Sequence, residues 1–448
     1  MKLFGTDGIR GDSSKFPFDN DALFITGKAI AEVLAAAGKK ILIIRDTRKS
    51  GKRIQNALAN GMASAGAVAV FGGIMPTPAA SFFLRSGQYW AGAVISASHN
   101  PYRDNGIKIF NSKGSKLTDS VESKIEKKIN KYMRDGLKFS TAKIEKREKN
   151  GLLKSYEHFL SESFGKGTLK NKKIVIDCAN GAAYKSASNV LKKLGAKVIA
   201  LNVKPDGKNI NRNCGALYPE VAAAAVKKHK AFCGFCFDGD ADRLICIDEN
   251  GNIKDGDFFL GSMARYLKSR KKLKNNVLVT TVMANIGLIK AMEKEKIKVV
   301  TEKVGDRYVM EAMKKHKAVL GGEQSGHFIF RDILGAGDGL LSALQLLSAL
   351  NYEGKTVSQM FCAIEKFPQV LINKTVAKKE PLEKLQKTSS LIKGYERKLG
   401  ADGRILVRYS GTENLLRVMV EGTDKIEIGK MAQNIISCAD KEISGKAI

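Results

Sequence analysis

Three times along the chain, a short apolar run leads into a polar turn and then into helical periodicity. The runs lie at residues 41–44, ending in Arg45-Asp46, at 173–177, leading into Cys178-Ala179-Asn180-Gly181, and at 277–281, leading into Val282-Met283-Ala284-Asn285. Their spacing far exceeds the roughly 20–50 residues of solenoid repeats, so the copies are of domain size. The first copy shows the rhythm most clearly. Residues 21–37 carry Leu23, Ile30, Val33 and Leu34 at helical spacing, with a polar start at Asp19-Asn20 and a stop at Gly38. A helix over 53–64, a strand over 67–71, a helix over 77–85 and a strand over 91–96 follow. This alternation predicts a parallel sheet with helices on both faces.

Between Lys113 and Lys154 the chain turns Lys- and Glu-rich and loses its strand patterns, which predicts a charged helix and a boundary near 150. A strand over 244–248 ends in the turn signal Asn250-Gly251, and Phe367-Pro368 marks a third boundary. The remainder changes pattern: a strand over 369–373, a helix over 382–393 and two strands flanking Ser410-Gly411. The expected division is 1–150, 151–250 and 251–367 as α/β domains and 368–448 as a small α+β domain.

The chain has 76 Lys and Arg against 45 Asp and Glu, a formal net charge of +31. Such a surplus suggests an anionic partner: nucleic acid, a membrane surface or a phosphorylated small molecule. No apolar run approaches the roughly 18 residues that span a bilayer, and the N-terminus lacks the apolar core of a signal peptide. Nucleic-acid binding would concentrate lysines on one face among aromatic residues. Here they are spread, often beside acids as at 122–131, and there is one Trp. The seven cysteines are scattered, and the Cys233/Cys236 pair falls in an apolar run that reads as a buried strand. The expected setting is a reducing cytoplasm. No phosphate-binding GxxxxGK[ST] loop occurs, and Gly335-Ala336-Gly337 does not follow a strand as a dinucleotide fingerprint must.

Four segments carry candidate chemistry. Ile95-Ser96-Ala97-Ser98-His99-Asn100-Pro101 follows a predicted strand, where open α/β sheets bind ligands. A serine there is a nucleophile or phosphoryl carrier, or part of a polar turn. Lys108 lies within reach of that loop. Asp238, Asp240 and Asp242 stand at i, i+2 and i+4 after an apolar run. So much charge in one loop calls for a hard cation, and three carboxylates suit magnesium. An EF-hand is excluded, because Arg243 occupies its glycine position and the flanks read as strands. Gly322-Glu323-Gln324-Ser325-Gly326-His327 offers donors and acceptors to sugar hydroxyls. His327 is an acid/base candidate or a hydrogen-bonded turn residue. Val304-Gly305-Asp306-Arg307-Tyr308 and Asp338-Gly339 also read as loops. Arg408-Tyr409-Ser410-Gly411-Thr412-Glu413, with Arg417, reads as a phosphate nest with two guanidinium clamps, or as a hairpin turn with exposed arginines. Together the four describe a cleft among four domains around a phosphorylated sugar.

With the opening Phe4-Gly5-Thr6-Asp7-Gly8-Ile9-Arg10-Gly11, these motifs stand in the order and approximate spacing of the α-D-phosphohexomutases, which the chain resembles over its whole length. The resemblance implies three related α/β domains and a C-terminal α+β domain around a central cleft. It implies phosphorylation of Ser98, with one Mg2+ per chain held by Asp238, Asp240, Asp242 and a phosphoserine oxygen. It places Arg10, His99 and Lys108 around the phosphoryl group and Arg243 beside the metal loop. Glu323, Ser325 and His327 would contact the sugar, and Arg408, Ser410, Gly411, Thr412 and Arg417 the phosphate that is not transferred. Asn414 departs from the pattern, since the family usually has proline there. The opening motif, Val-Gly-Asp-Arg-Tyr-Val and Gly-Glu-Gln-Ser-Gly-His look like the glucosamine branch. That implies interconversion of glucosamine 6-phosphate and glucosamine 1-phosphate, feeding UDP-N-acetylglucosamine and cell-wall precursor synthesis. Glucosamine 1,6-bisphosphate would be intermediate and activator. Phosphomannomutase/phosphoglucomutase activity is the alternative. The expected partner is a phosphosugar, without nucleic acid or membrane, and a homodimer is the candidate assembly.

Overall fold

The computed structural model describes residues 2–5, 7–141, 147–148, 151–165, 167–410 and 414–445. They form two compact units. One comprises Met1–Val282 with Ile297–Cys362, the other Met283–Lys296 with Ala363–Ile448.

The larger unit holds three sheets built on one plan. In the first, the strand Lys40–Arg45 lies between Val68–Ile74 and Ala91–Ile95, all parallel, and Asp104–Asn111 pairs antiparallel with Ala91–Ile95. In the second, Lys173–Asp177 lies between Lys197–Leu201 and Cys233–Phe237, with Leu244–Ile247 antiparallel on the latter. In the third, Val277–Thr281 lies between Lys298–Glu302 and Leu320–Gly322, with Phe328–Phe330 antiparallel. The recurring strand–turn–helix opening is therefore the central strand of each sheet. The three loops singled out for chemistry, residues 96–103, 238–243 and 323–327, are the same topological connection in each copy.

Apolar burial explains the layers. The helices Asn20–Val33 and Gly51–Ser64 pack Leu23, Ile30, Leu58 and Met62 with Ile41 and Ile43 of the central strand in one core. They approach so closely that a Cβ on Gly27 would lie 2.0 Å from the Leu58 carbonyl oxygen. Cys233 and Cys236 are buried in the strand Cys233–Phe237, and burial pushes both thiols up. Among the described residues, no helix is long and apolar enough to cross a membrane.

Several local expectations change. The first helix ends at Val33, not 37, because Ala35 turns left-handed at φ 48° and its amide bonds back to Glu32. Gly38 serves the following turn. The Lys- and Glu-rich stretch does contain a strand, Arg147–Glu148, parallel to Val70 and Phe71. Two residues are too few to show a period. Lys108, read as within reach of the Ser98 loop, stands in the strand Asp104–Asn111 that follows it. The helix Asp306–Lys315 begins inside Val-Gly-Asp-Arg-Tyr, and Gly339 starts the helix Gly339–Glu353, capped by Asp338.

In the smaller unit, the strand Leu415–Glu421 lies between Gln369–Thr375 and Arg404–Tyr409, all antiparallel. Alternate residues Leu416, Val418 and Val420 share a core with Ile428, Ile435 and Ala439 of the helix Lys425–Ser444. The helix expected over 382–393 is Gln386–Leu399, preceded by a short 3-10 turn at Leu382–Lys384. The helix Ile286–Lys294 belongs to this unit. Its N-cap Asn285 donates to Glu421 Oε1 at 3.0 Å, and the Ile286 amide donates to Oε2 at 3.2 Å.

Candidate active site

Ser98 sits just past the strand Ala91–Ile95, 1% exposed, with φ +53°. That left-handed conformation costs on the order of 1–3 kcal/mol in a residue with a Cβ, so the surroundings must impose it. They do so from two directions. Arg48, also 1% exposed, donates from Nη2 to the carbonyls of Ser98 (2.9 Å) and Asn100 (2.8 Å). Asn211 Nδ2 reaches the same two carbonyls at 2.8 and 3.0 Å. On the other side the Ser98 amide donates to Ser96 Oγ, which donates to the buried carboxylate of Asp46. Ser98 Oγ then donates to Asp238 Oδ2 at 2.6 Å and lies 3.3 Å from His99 Nδ1.

The carboxylates come from the equivalent loop of the second sheet. Asp238, Asp240 and Asp242 are all buried, with one oxygen of each within 4.8 Å of the others, the only such cluster among the described residues. Gly239 lets the loop press onto Ser98, since a Cβ there would lie 2.5 Å from the Ser98 carbonyl oxygen. Asp240 Oδ2 accepts from Thr77 Oγ1 (2.6 Å) and Lys108 Nζ (2.9 Å). Its Oδ1, and that of Asp242, are buried with no hydrogen-bond partner among the described residues. Burial, with Asp242 and Asp240 alongside, pushes the Asp238 carboxyl well above its usual range. Buried acceptors without donors in a like-charged cluster fit a hard divalent cation. The triad can hold one.

Cations surround this cluster. Lys108 is buried, and burial opposes its charge, yet Asp240, Asp7 and Asp242 hold it well above the usual lysine value. Asp7 bridges Lys108 at 3.1 Å and also pairs with Arg10 and Lys116. Lys116 reaches on to Asp306 at 2.6 Å. Arg10 Nη1 lies 3.5 Å from Asn100 Oδ1, beside the Ser98 loop.

The third loop joins the second through backbone. Arg243 bridges His327, and the Leu244 amide donates to the Gly326 carbonyl at 2.9 Å. His327 lies 3.8 Å from Asp242 and 3.7 Å from Asp306. Burial works against its proton, but those two carboxylates outweigh it and raise the imidazole to about 9. His99 differs: burial, Arg243 and Arg10 lower it to about 4. Glu323 is 8% exposed and accepts from the Gly305 amide at 3.0 Å, while Ser325 is exposed.

The structure thus brings Arg10, Ser98, His99, Lys108, the three aspartates, Arg243, Glu323, Ser325 and His327 into one unit, although the sequence assigns them to three domains. No site role falls to Asp46, Arg48, Thr77, Lys116, Asn211 or Asp306 from the sequence alone. The only signal for Asp46 and Arg48 is a run of polar residues at a strand end.

In the smaller unit, Arg408 and Arg417 are directly opposite each other on neighbouring strands. Burial, with Arg417 beside it, lowers Arg408. Ser410 is buried, its amide donates to the Leu415 carbonyl at 2.8 Å, and Lys379 Nζ donates to its carbonyl at 2.7 Å. Gly411 and Thr412 lie outside the described residues. Asn414 makes a loop contact, its carbonyl accepting from the Val376 amide at 2.9 Å.

Four segments match the domains of one family in order. Residues 1–135, 154–251 and 255–367 match the α/β/α domains I, II and III of phosphoglucomutase/phosphomannomutase, and 371–437 its C-terminal domain. The chain belongs to this family. It is similar to the phosphoglucosamine mutase of Myxococcus xanthus, 45% identical over 99% of this chain and 98% of that one. The phosphoglucosamine mutase of Chlamydia muridarum is also 45% identical, over 100% and 98%. Among solved structures, a phosphoglucomutase/phosphomannomutase family protein from Burkholderia thailandensis superposes with a TM-score of 0.80 at 25% identity, covering 99% and 98% of the two chains. The Aspergillus fumigatus N-acetylphosphoglucosamine mutase, solved with GlcNAc-6P and magnesium, has the same fold at TM-score 0.63 and 18% identity, covering 99% and 96%. The protein is an isomerase of the phosphohexomutase type, with three related α/β domains and a C-terminal domain.

Proposed function

We propose that the chain interconverts glucosamine 6-phosphate and glucosamine 1-phosphate, using Ser98 as the phosphoryl carrier. The observation that carries this reading is Ser98 Oγ, buried and 2.6 Å from Asp238 beside two carboxylate oxygens that lack donors. Full-length similarity to phosphoglucosamine mutases supports the substrate. Asp238, Asp240 and Asp242, with a phosphoserine oxygen, would hold one Mg2+, which supplies charge neutralisation for the phosphoryl oxygens.

The protein's own groups then divide the work. Phosphoryl transfer depends on in-line positioning and charge stabilisation. Arg10 and Lys108 face the phosphoryl oxygens, and His99 stands beside Ser98 Oγ. Arg243, Glu323, Ser325 and His327 orient the sugar. Arg408, Ser410, Gly411, Thr412 and Arg417 hold the phosphate that stays in place. In the first half-reaction the Ser98 O–P bond breaks as a bond forms from phosphorus to the free sugar hydroxyl. That hydroxyl's proton ends on Ser98 Oγ, leaving glucosamine 1,6-bisphosphate and a free serine. The bisphosphate reorients, and Ser98 takes the phosphoryl group from the other end by the reverse step.

The four domains are taken to divide at 150, 250 and 367; the first lies in the gap between the matched segments 1–135 and 154–251, and the others lie at or within a residue of the ends of the segments 154–251 and 255–367. A cytoplasmic setting and a homodimer complete the proposal. Two measurements test it. Comparison of kcat/KM on glucosamine, glucose and mannose phosphates should favour glucosamine; preference for glucose or mannose phosphate refutes the substrate. Intact mass with peptide mapping should find one phosphate on Ser98, and full activity of Ser98→Ala refutes the mechanism.

A further inference from the structure

Arg48 and Asp46 stand out because they are buried as deeply as Asp238 and Asp240, yet their hydrogen bonds run to each other and to the Ser98 loop. Asp46 is 0% exposed and Arg48 1%. The guanidinium has five N–H donors. Nε bonds Asp46 Oδ2 at 2.9 Å, Nη2 bonds the carbonyls of Ser98 and Asn100, and Nη1 bonds those of Asp104 (3.1 Å) and Pro101. Five acceptors thus match five donors, and none is left for a substrate phosphate.

Asp46 is equally committed. Its Oδ1 accepts from the Arg48 amide at 2.9 Å, and its Oδ2 accepts from Arg48 Nε and from Ser96 Oγ at 2.6 Å. Ser96 Oγ in turn accepts the Ser98 amide at 2.9 Å. The pair therefore grips the Ser98 peptide at its amide, through Ser96, and at its carbonyl, directly. Three carbonyls of one loop, at residues 98, 100 and 101, and that of Asp104 at the start of the next strand point at a single guanidinium. Without it their dipoles would converge, offset only in part by Asn211 at residues 98 and 100 and by the Asp104 amide at residue 101.

We propose that Arg48, anchored by Asp46, is a positioning residue that holds Ser98 in its left-handed conformation, with Oγ aimed at the metal-loop carboxylates in both halves of the cycle. A lysine cannot replace it, since an ammonium is a point donor without the planar fork. This inference rests on Ser98 as the phosphoryl carrier.

The test compares Arg48→Lys, Ser96→Ala and Ser98→Ala with the wild-type protein, each with Mg2+ and each checked for folding by thermal melting. Arg48→Lys, where folded, should lose about 100-fold in kcat, the cost of roughly 1 Å of misplacement. Its KM for the sugar monophosphate should change little. The rate at which glucose 1,6-bisphosphate phosphorylates Ser98, followed by intact mass, should fall with kcat. A folded Arg48→Lys with wild-type kcat and phosphorylation rate overturns the proposal. If Arg48→Lys does not fold, Ser96→Ala decides, because it cuts only the amide arm. A kcat reduced about tenfold at unchanged KM supports the proposal, and wild-type kinetics overturns it. Activity of Ser98→Ala reports separately on the carrier assignment: an active Ser98→Ala sinks that assignment, whereas an inactive one with an unaffected Arg48→Lys sinks only the positioning role.

Discussion

Lys108 Nζ lies 2.9 Å from Asp240 Oδ2, and both side chains are 1% exposed. The same ammonium reaches Asp242 at 3.4 Å and Asp7 at 3.1 Å. One cation thus serves three carboxylates from two loops, all beside the serine proposed to carry the phosphoryl group.

Replacing that cation should separate folding from catalysis. Lys108→Met leaves buried carboxylates uncompensated, and removing one partner of a buried pair costs roughly 3–5 kcal/mol. Metal-free Lys108→Met should therefore unfold at markedly lower urea than wild type, and added Mg2+ should recover part of the loss. Turnover should fall about 10²–10³-fold, the scale for losing one preorganised charge at a reacting centre. Denaturant titration with and without Mg2+ checks this, and equal metal-free stability in the two proteins would contradict it.

Metal removal is the second case. Asp240 leaves Oδ1 without a donor while Thr77 and Lys108 occupy Oδ2. Chelation should abolish turnover and Mg2+ restore it. Asp240→Asn keeps the shape but removes a charge, so calorimetric Mg2+ affinity should drop at least about tenfold along with kcat. An Asn variant that binds Mg2+ like wild type removes Asp240 from the ligand set.

These residues were legible to different degrees, and geometry explains why. Ser98 and the aspartate triad stand out in the sequence because unusual side chains are packed into a few positions after a strand. The repeat was legible because each central strand is a short apolar run with a polar turn. The matching hairpins were not: Asp104-Asn105-Gly106-Ile107-Lys108 opens with turn residues yet continues the strand Asp104–Asn111. Arg48 was invisible because, apart from Asp46, its partners are carbonyls 50–56 residues away, and every sequence has carbonyls. Asp306 sits at a loop-to-helix junction, where the helix Asp306–Lys315 begins, so its sequence context is that of a loop, and its link to Lys116 depends on where two segments meet.

A pH dependence follows from Asp338, which caps the helix Gly339–Glu353 and accepts from Tyr156 Oη at 2.6 Å. Burial outweighs its hydrogen bonds and raises the carboxyl to about 6. A raised acid favours the folded state when protonated. That stability is fully present below about pH 4 and is lost as pH rises through 6, by roughly 3 kcal/mol. Asp338→Asn keeps one oxygen to accept from the Leu341 amide, lets its NH2 donate to Tyr156 Oη, and stays neutral throughout. Its urea midpoint should match wild type near pH 4 and exceed it at pH 7. A constant difference between the two midpoints across that range rejects this account.

The cross-strand pair Arg408 and Arg417 gives the last prediction. Like charges directly opposite on neighbouring strands destabilise a sheet by roughly 0.2–1 kcal/mol. The smaller unit keeps that arrangement beside Ser410, which suits a dianion that both guanidiniums would grip. Arg408→Met should therefore leave stability without ligand unchanged or slightly higher. It should also raise KM about 10–100-fold, the value of a charge-assisted hydrogen bond or two, with a smaller change in kcat. Inorganic phosphate should raise the wild-type melting temperature and leave that of Arg408→Met nearly fixed. A loss of ligand-free stability with unaltered KM would make the pair structural, because only a phosphate-binding role links a stability-neutral substitution to weakened substrate binding.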